Sequence, residues 1–194
     1  MATDVSAVLQ SVIDRAKVRG ISEDDISRVV AGQGDRLLEK FVDVMSNTAR
    51  NPRESFPTAV NYDLSVEDAI AAGDYRAVNG SITSRTFSSV RHGQAELQIN
   101  LIRFDRRMTS EEVLRELEKE DLRAVELPEL LAFGATHPDV QRQFSVVGLG
   151  SVWHDRKGYR NVPCLYAASE GRYLDLHWWD DAWYSYSRFA VVPK

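Results

Sequence analysis

The residues of this chain with chemistry to offer crowd into its last quarter. Within residues 170–187 stand the carboxylates Glu170, Asp175, Asp180 and Asp181, the imidazole of His177, and the rings of Trp178, Trp179, Trp183, Tyr184 and Tyr186, with Ser185 between the tyrosines. Three kinds of chemistry suit such a set. The four carboxylates could supply oxygen ligands to Ca²⁺, which takes roughly six to eight of them. Solvated loop carboxylates are the simpler reading, so no metal and no cofactor is expected. An acid among Asp175, Asp180 and Asp181, with His177 as base, would suit an enzyme of unrecognised chemistry. The rings would suit recognition, because aromatic side chains offer a large contact area at low conformational cost. The last reading leads: Trp179, Asp180, Asp181, Trp183, Tyr184, Ser185 and Tyr186 are assigned to a ligand-binding loop, with no catalytic residue. Strand alternation turns Trp178 and Trp179 to opposite faces.

Elsewhere the motifs of common enzymes are missing. There is no Gly-rich phosphate loop, no His-Glu-x-x-His, no paired cysteine spacing and no Gly-x-Ser-x-Gly. His92, His137, His154 and His177 lack metal-ligand spacing. Gly148-Leu149-Gly150-Ser151 falls inside an expected strand, so its glycines mark close backbone approach and not a nucleotide-binding turn.

Composition narrows the classes further. With 194 residues, 43% hydrophobic and 27% charged, the chain has the make-up of an ordinary globular protein. A net charge of −5 lacks the surplus of Lys and Arg that phosphate neutralisation requires, so a nucleic-acid partner is not expected. The single cysteine, Cys164, has no disulfide partner within the chain and reads as a core thiol in a reducing compartment. No stretch is apolar enough for a membrane span, and Met1-Ala2-Thr3-Asp4-Val5 does not open a signal peptide, so a cytoplasmic protein is expected.

The elements that must position the loop follow from periodicity. Residues 173–178 and 188–192 read as strands flanking it, with further strands at 146–153 and 162–166. Thr109-Ser110-Glu111-Glu112 is a capping box opening a helix with Val113, Leu114 and Leu117 inward and Leu122 at its close. Residues 127–134 form a second helix, with Pro128 in its first turn and Gly134 at its end, and 137–141 form one more helical turn. Upstream, 65–73 is a short capped helix followed by a turn at Gly73-Asp74. Strands are expected at 75–78, 82–87 and 96–104, the first two broken at Asn79-Gly80. Val5, Val8, Leu9, Val12, Ile13 and Ala16 share one helical stripe ending near Gly20. Ser22 and Asp25 cap a second helix running to Gly34, and Leu37, Leu38, Phe41, Val42 and Met45 make a third, before a break at 47–57. This gives a helical element over 1–48 and a main domain over 60–194. The helices either pack on that domain or associate copies of the chain into a homo-oligomer.

Several segments carry a family likeness. Leu127-Pro128-Glu129-Leu130-Leu131-Ala132-Phe133-Gly134-Ala135, Gly148-Leu149-Gly150-Ser151-Val152-Trp153, Arg160-Asn161-Val162-Pro163-Cys164-Leu165 and Arg188-Phe189-Ala190-Val191-Val192 resemble a family of proteins found in many copies in candidate-phylum (Patescibacteria-type) bacteria. Asn61-Tyr62-Asp63-Leu64-Ser65 with Ala71-Ala72-Gly73 extends the likeness, which covers about 60–194. That family carries no activity to transfer. A looser likeness is to the C-type-lectin-like fold: a strand, two helices, then a small antiparallel sheet ending in an Arg-Phe-x-Val-Val strand. Trp179-Asp180-Asp181 is similar to the Trp-Asn-Asp segment of calcium-binding lectins, without their paired disulfides or Glu-Pro-Asn segment. The variable proteins of diversity-generating retroelements, which share that fold, place Trp, Tyr, Ser and Asp in a C-terminal binding loop as 179–187 would. The formylglycine-generating oxidases of the same fold use a cysteine pair that Cys164 alone cannot supply. The expectation is an α+β, C-type-lectin-like domain acting as a non-enzymatic binding module for a protein or small molecule.

Overall fold

The computed structural model describes residues 55–194 without a break, and scattered positions between 10 and 34. The chain divides into two compact units, Met1–Pro52 and Arg53–Lys194. In the first unit, Gly20 adopts φ 82° and its N–H donates to the Lys17 carbonyl at 2.9 Å. Ser22 Oγ accepts from the Asp25 N–H at 3.1 Å while its own hydroxyl donates to the Asp25 carboxylate at 2.6 Å, an N-cap where one was expected. Of the expected stripe of the first helix, Ile13 is helical; Val5, Val8, Leu9, Val12 and Ala16, with Ile26, Val29 and Val30 of the second helix, all of the third, and residues 47–54 of the expected break, lie outside the described residues.

The second unit is mixed helix and sheet. Its strands are β1 (Ser55–Asn61), β2 (Ala77–Val78), β3 (Gln94–Ile102), β4 (Leu122–Ala124), β5 (Ser145–Val147), β6 (Trp153–His154), β7 (Arg160–Ala168), β8 (Gly171–Trp178) and β9 (Ser187–Pro193). Its helices are α1 (Val66–Ala72), α2 (Ser110–Lys119) and α3 (Leu127–Thr136), with a 3₁₀ turn at Val140–Arg142. The strands form one sheet in the order β1-β3-β9-β5-β7-β8-β2, with β4 added to β9 and β6 to β7. It is larger than the small sheet expected, and it is not purely antiparallel: β5 runs parallel to β9, and β2 to β8.

Strand β9 holds the centre. Phe189 pairs with both Ile102 of β3 and Val147 of β5, and Val191 with both Asn100 of β3 and Ala124 of β4. Since a strand has two edges, β3 occupies one, and β5 and β4 divide the other. Burial on both faces explains the unbroken apolar run Phe189-Ala190-Val191-Val192. Ala190 and Val192 face a core built with α1 and α3 through Val66, Leu127, Leu130, Leu131 and Phe133. Phe189 and Val191 face a second core with Val113 and Leu117 of α2, Trp179 and Trp183. Each fully buried side chain of this size stabilises the fold by roughly 1.5–3 kcal/mol.

Where the elements depart from expectation, local chemistry explains it. Residues 82–87 form turns, not a strand, because Thr86 Oγ1 binds the Ser81 and Thr83 carbonyls and accepts from the Thr83 N–H at 3.1 Å, satisfying the backbone locally. The expected strand 146–153 is broken into β5 and β6. A Cβ on Gly150 would lie 2.5 Å from the Val125 carbonyl oxygen, and the Gly150 N–H donates to that oxygen at 2.9 Å, so close backbone approach holds although the strand does not. Residues 55–57, assigned to a break, open edge strand β1. Pro57 is tolerated there because it lies at the margin of the sheet, and its carbonyl contacts His137 Nε2 at 2.9 Å.

Two arginines fasten helices to the sheet. Glu129, with no exposed surface, accepts from both Arg123 Nη groups at 2.8 and 2.6 Å, from the Tyr62 hydroxyl at 2.6 Å and from the Glu126 N–H at 2.7 Å. Burial alone would raise its pKa, but these donors outweigh it and hold the carboxyl below its ordinary value. Arg172, 7% exposed, instead spends its guanidinium on neutral oxygens. It donates to the Gly134 carbonyl at 2.8 Å, to the Gly73 carbonyl, to the Asp74 carbonyl at 3.4 Å and to Gln141 Oε1 at 3.3 Å. Gly73 caps α1 and Gly134 sits in the last turn of α3, so one cation meets the negative ends of two helices.

Candidate binding surface

Loop 179–186 runs from β8 to β9 and is held down by the first turn of α2. The Thr109 hydroxyl accepts from the Glu112 N–H at 3.2 Å and Glu112 accepts from the Thr109 N–H at 2.8 Å, so the capping box fixes where that turn begins. Ser110 and Glu111 then project toward the loop. Trp183 Nε1–H donates to Ser110 Oγ at 2.8 Å, the Ser110 hydroxyl donates to the Trp179 carbonyl at 2.7 Å, and Trp179 Nε1–H donates to Glu111 Oε1 at 2.6 Å. Trp183 stands edge-on to Phe189 at 5.7 Å and lies 4.6 Å from the His177 ring.

Trp179 is 6% exposed and Trp183 3%. Assigned from the sequence to the contact surface, both belong to the core beneath it, because the sheet face around Phe189 needs covering and α2 supplies partners for both indole N–H groups. Trp178, on the opposite side of the strand, is exposed, as alternation required.

The acidic residues point to separate partners. Asp180 pairs with Arg160, whose other nitrogen lies 3.2 Å from Glu111 and whose guanidinium covers the Trp179 ring at 5.3 Å. The Trp179 indole N–H, ahead of Arg160, holds the Glu111 carboxyl below its ordinary value. Asp181 lies 3.8 Å from His177 Nδ1, Asp175 accepts from the Asn79 side chain at 2.7 Å, and Glu170 accepts from the Tyr173 hydroxyl at 3.2 Å. Among the described residues no group of three or more His, Cys, Asp or Glu is arranged to hold a metal ion. Burial, with Asp175 nearby, pushes the Cys164 thiol up to about 12, which keeps it protonated and unreactive at neutral pH.

The outward half of the loop follows from one backbone pairing. Met108 and Trp183 form an antiparallel bridge, the Met108 N–H donating to the Trp183 carbonyl at 3.1 Å and the Trp183 N–H to the Met108 carbonyl at 2.8 Å. Their side chains point inward, at 1% and 3% exposure. The next pair in that register is Arg107 with Tyr184, and alternation turns both outward. The Arg107 guanidinium accordingly lies 5.2 Å from the centre of the Tyr184 ring. Tyr186, two residues on, stacks on Tyr184 at 5.8 Å with 10° between the ring planes. Ser185 and Asp181, on the same loop, are exposed.

Arg107 and Tyr159 were not singled out from the sequence. Tyr159 stacks on Trp178 at 5.9 Å, a second outward aromatic pair. Outward alternation of Trp178 was the signal that could have led to Tyr159; Arg107 is placed by a non-local bridge that no local pattern announces. The chain matches no known protein family, no curated protein and no solved structure. Among the described residues no helix is long and apolar enough to cross a membrane.

Proposed function

We propose that this chain is a non-enzymatic binding module that engages a protein or small-molecule ligand through the outward half of loop 179–186: Asp180, Asp181, Tyr184, Ser185 and Tyr186, joined by Arg107. The observation that carries the reading is the mounting of Tyr184 and Tyr186. They are 50% and 65% exposed and stacked, while Trp179 and Trp183 beneath them are hydrogen-bonded into the core. Rings held in place before a ligand arrives lose little freedom on binding, which is what recognition residues require. A loop carried between two strands and rich in Trp, Tyr, Ser and Asp also supports the likeness to C-type-lectin-like binding proteins, and the motifs beginning at Leu127, Gly148, Arg160 and Arg188 support the likeness to the candidate-phylum family. The lone, buried Cys164 supports a reducing, cytoplasmic setting, and association of copies through the N-terminal helices is part of the same proposal.

A pull-down from native lysate compares wild type with a Tyr184→Ala/Tyr186→Ala variant. The expected result is a partner retained by wild type and lost by the variant at an unchanged melting temperature. Identical capture by both proteins would remove this surface from the function.

A further inference from the structure

Charge around the tyrosine stack is unevenly distributed. Arg103 pairs with Asp105 at 2.7 Å, Arg106 reaches Glu116 at 3.6 Å and Arg160 bridges Glu111 and Asp180. Among the described residues Arg107 has no carboxylate partner, and its guanidinium rests on the Tyr184 ring alone. It is exposed, on a segment clamped to the loop by the Met108–Trp183 bridge. A cation placed over one ring, with a second ring stacked alongside, presents two complementary features. Its outer N–H groups can take a carboxylate in bidentate fashion, and the tyrosine faces can take a flat or rigid apolar group.

The surroundings limit what such a ligand can be. Asp180 and Asp181, with side chains 60% and 53% exposed, stand on the same loop, and the chain carries −5 overall. A phosphate track needs a row of displayed cations, and here Arg103, Arg106 and Arg160 face carboxylates, Arg188 donates to the Ser185 and Ser187 carbonyls and lies over Phe144, and the guanidinium displayed on the stack is that of Arg107. A single carboxylate meets one attraction and little repulsion. Resting on the binding reading above, we infer that the Arg107–Tyr184–Tyr186 stack recognises a short peptide segment of a partner protein in which one carboxylate stands beside an aromatic or proline ring. Proline suits the tyrosine faces because its extended segments are already rigid.

The test is selection of random peptides on the full chain by phage display, followed by fluorescence anisotropy of the best peptide against wild type, Arg107→Ala, Arg107→Lys and Tyr184→Ala/Tyr186→Ala. Enriched peptides should share Asp, Glu or a free C-terminus next to Tyr, Phe, Trp or Pro. Arg107→Ala should weaken binding by about tenfold or more, Arg107→Lys should recover only part of it, and raised salt should weaken wild type more than Arg107→Ala. Failure to enrich any peptide, or binding unaffected by Arg107→Ala but lost in the tyrosine variant, overturns the carboxylate inference and leaves the contact surface standing. Peptides indifferent to both sites would sink the surface itself. Tighter, Arg107-dependent binding of a fluorescein-labelled dT12 oligonucleotide would replace the peptide with single-stranded nucleic acid.

Discussion

Trp183 and Tyr184 are consecutive aromatic residues of one loop, yet the first is 3% exposed and the second 50%. The inward residue has Ser110 for its N–H, with the Phe189 ring near-perpendicular to it and the His177 ring tilted against it. The outward one has a cation above and a tyrosine beside it. Residue type therefore says little about role here. What decides it at these two positions is the antiparallel bridge to Met108, which turns Trp183 inward and leaves the next side chain outward. Aromatic crowding marks the region, and backbone register divides it into foundation and display.

Mutations can break that division. The largest effect is expected for Trp183→Ala, a loss of about 3–5 kcal/mol, because a large ring leaves a cavity beside Phe189 and α2. Chemical denaturation reads this directly, and a loss below about 1 kcal/mol would mean that the ring is not foundation. Next is Trp179→Phe, which keeps most of the ring and removes the N–H bonded to Glu111. About 1 kcal/mol is expected, toward the low end for a bond to a charged group, since the Glu111 side chain is 52% exposed and water can replace the indole.

A titration sharpens the same contrast more finely. The Glu111 carboxyl is held low by the Trp179 indole and then by Arg160, so its contribution is present above the unfolded-state pKa of about 4.3 and is lost as pH falls through the lower folded value. Melting curves of wild type and Glu111→Gln should differ at neutral pH and converge in acid. A gap that widens in acid would contradict the assignment. The smallest effect is expected for Tyr184→Ala, within about 0.5 kcal/mol of wild type in a thermal melt, as for an exposed side chain with no core role.

The fold was legible in proportion to how local its signals are. Helices α2 and α3 carry their own start marks, the Thr109 capping box and Pro128, and both form where expected. Strands β7, β8 and β9 declare themselves through β-branched and aromatic runs. Strand β4 is too short to show a period, and β1 contains a proline that only an edge position excuses. The run 82–87 has strand-like composition, but the Thr86 hydroxyl closes its turns. In the candidate site, the concentration of rings and acids could be read directly, whereas the burial of Trp179 and Trp183 could not. That burial depends on Ser110 and Glu111, which reach the loop only through tertiary structure.

The position of β9 bears on how the domain comes together in time. Every strand it pairs with, β3, β4 and β5, precedes it in sequence, and both cores close against its two faces. As the chain emerges from the ribosome, the hydrophobic faces of α1, α2 and α3 must wait for the strand that completes the sheet between them. Such long-range closure predicts slow, all-or-none folding and a nascent chain with exposed apolar surface until β9 arrives, a state in which chaperones would find the most to hold.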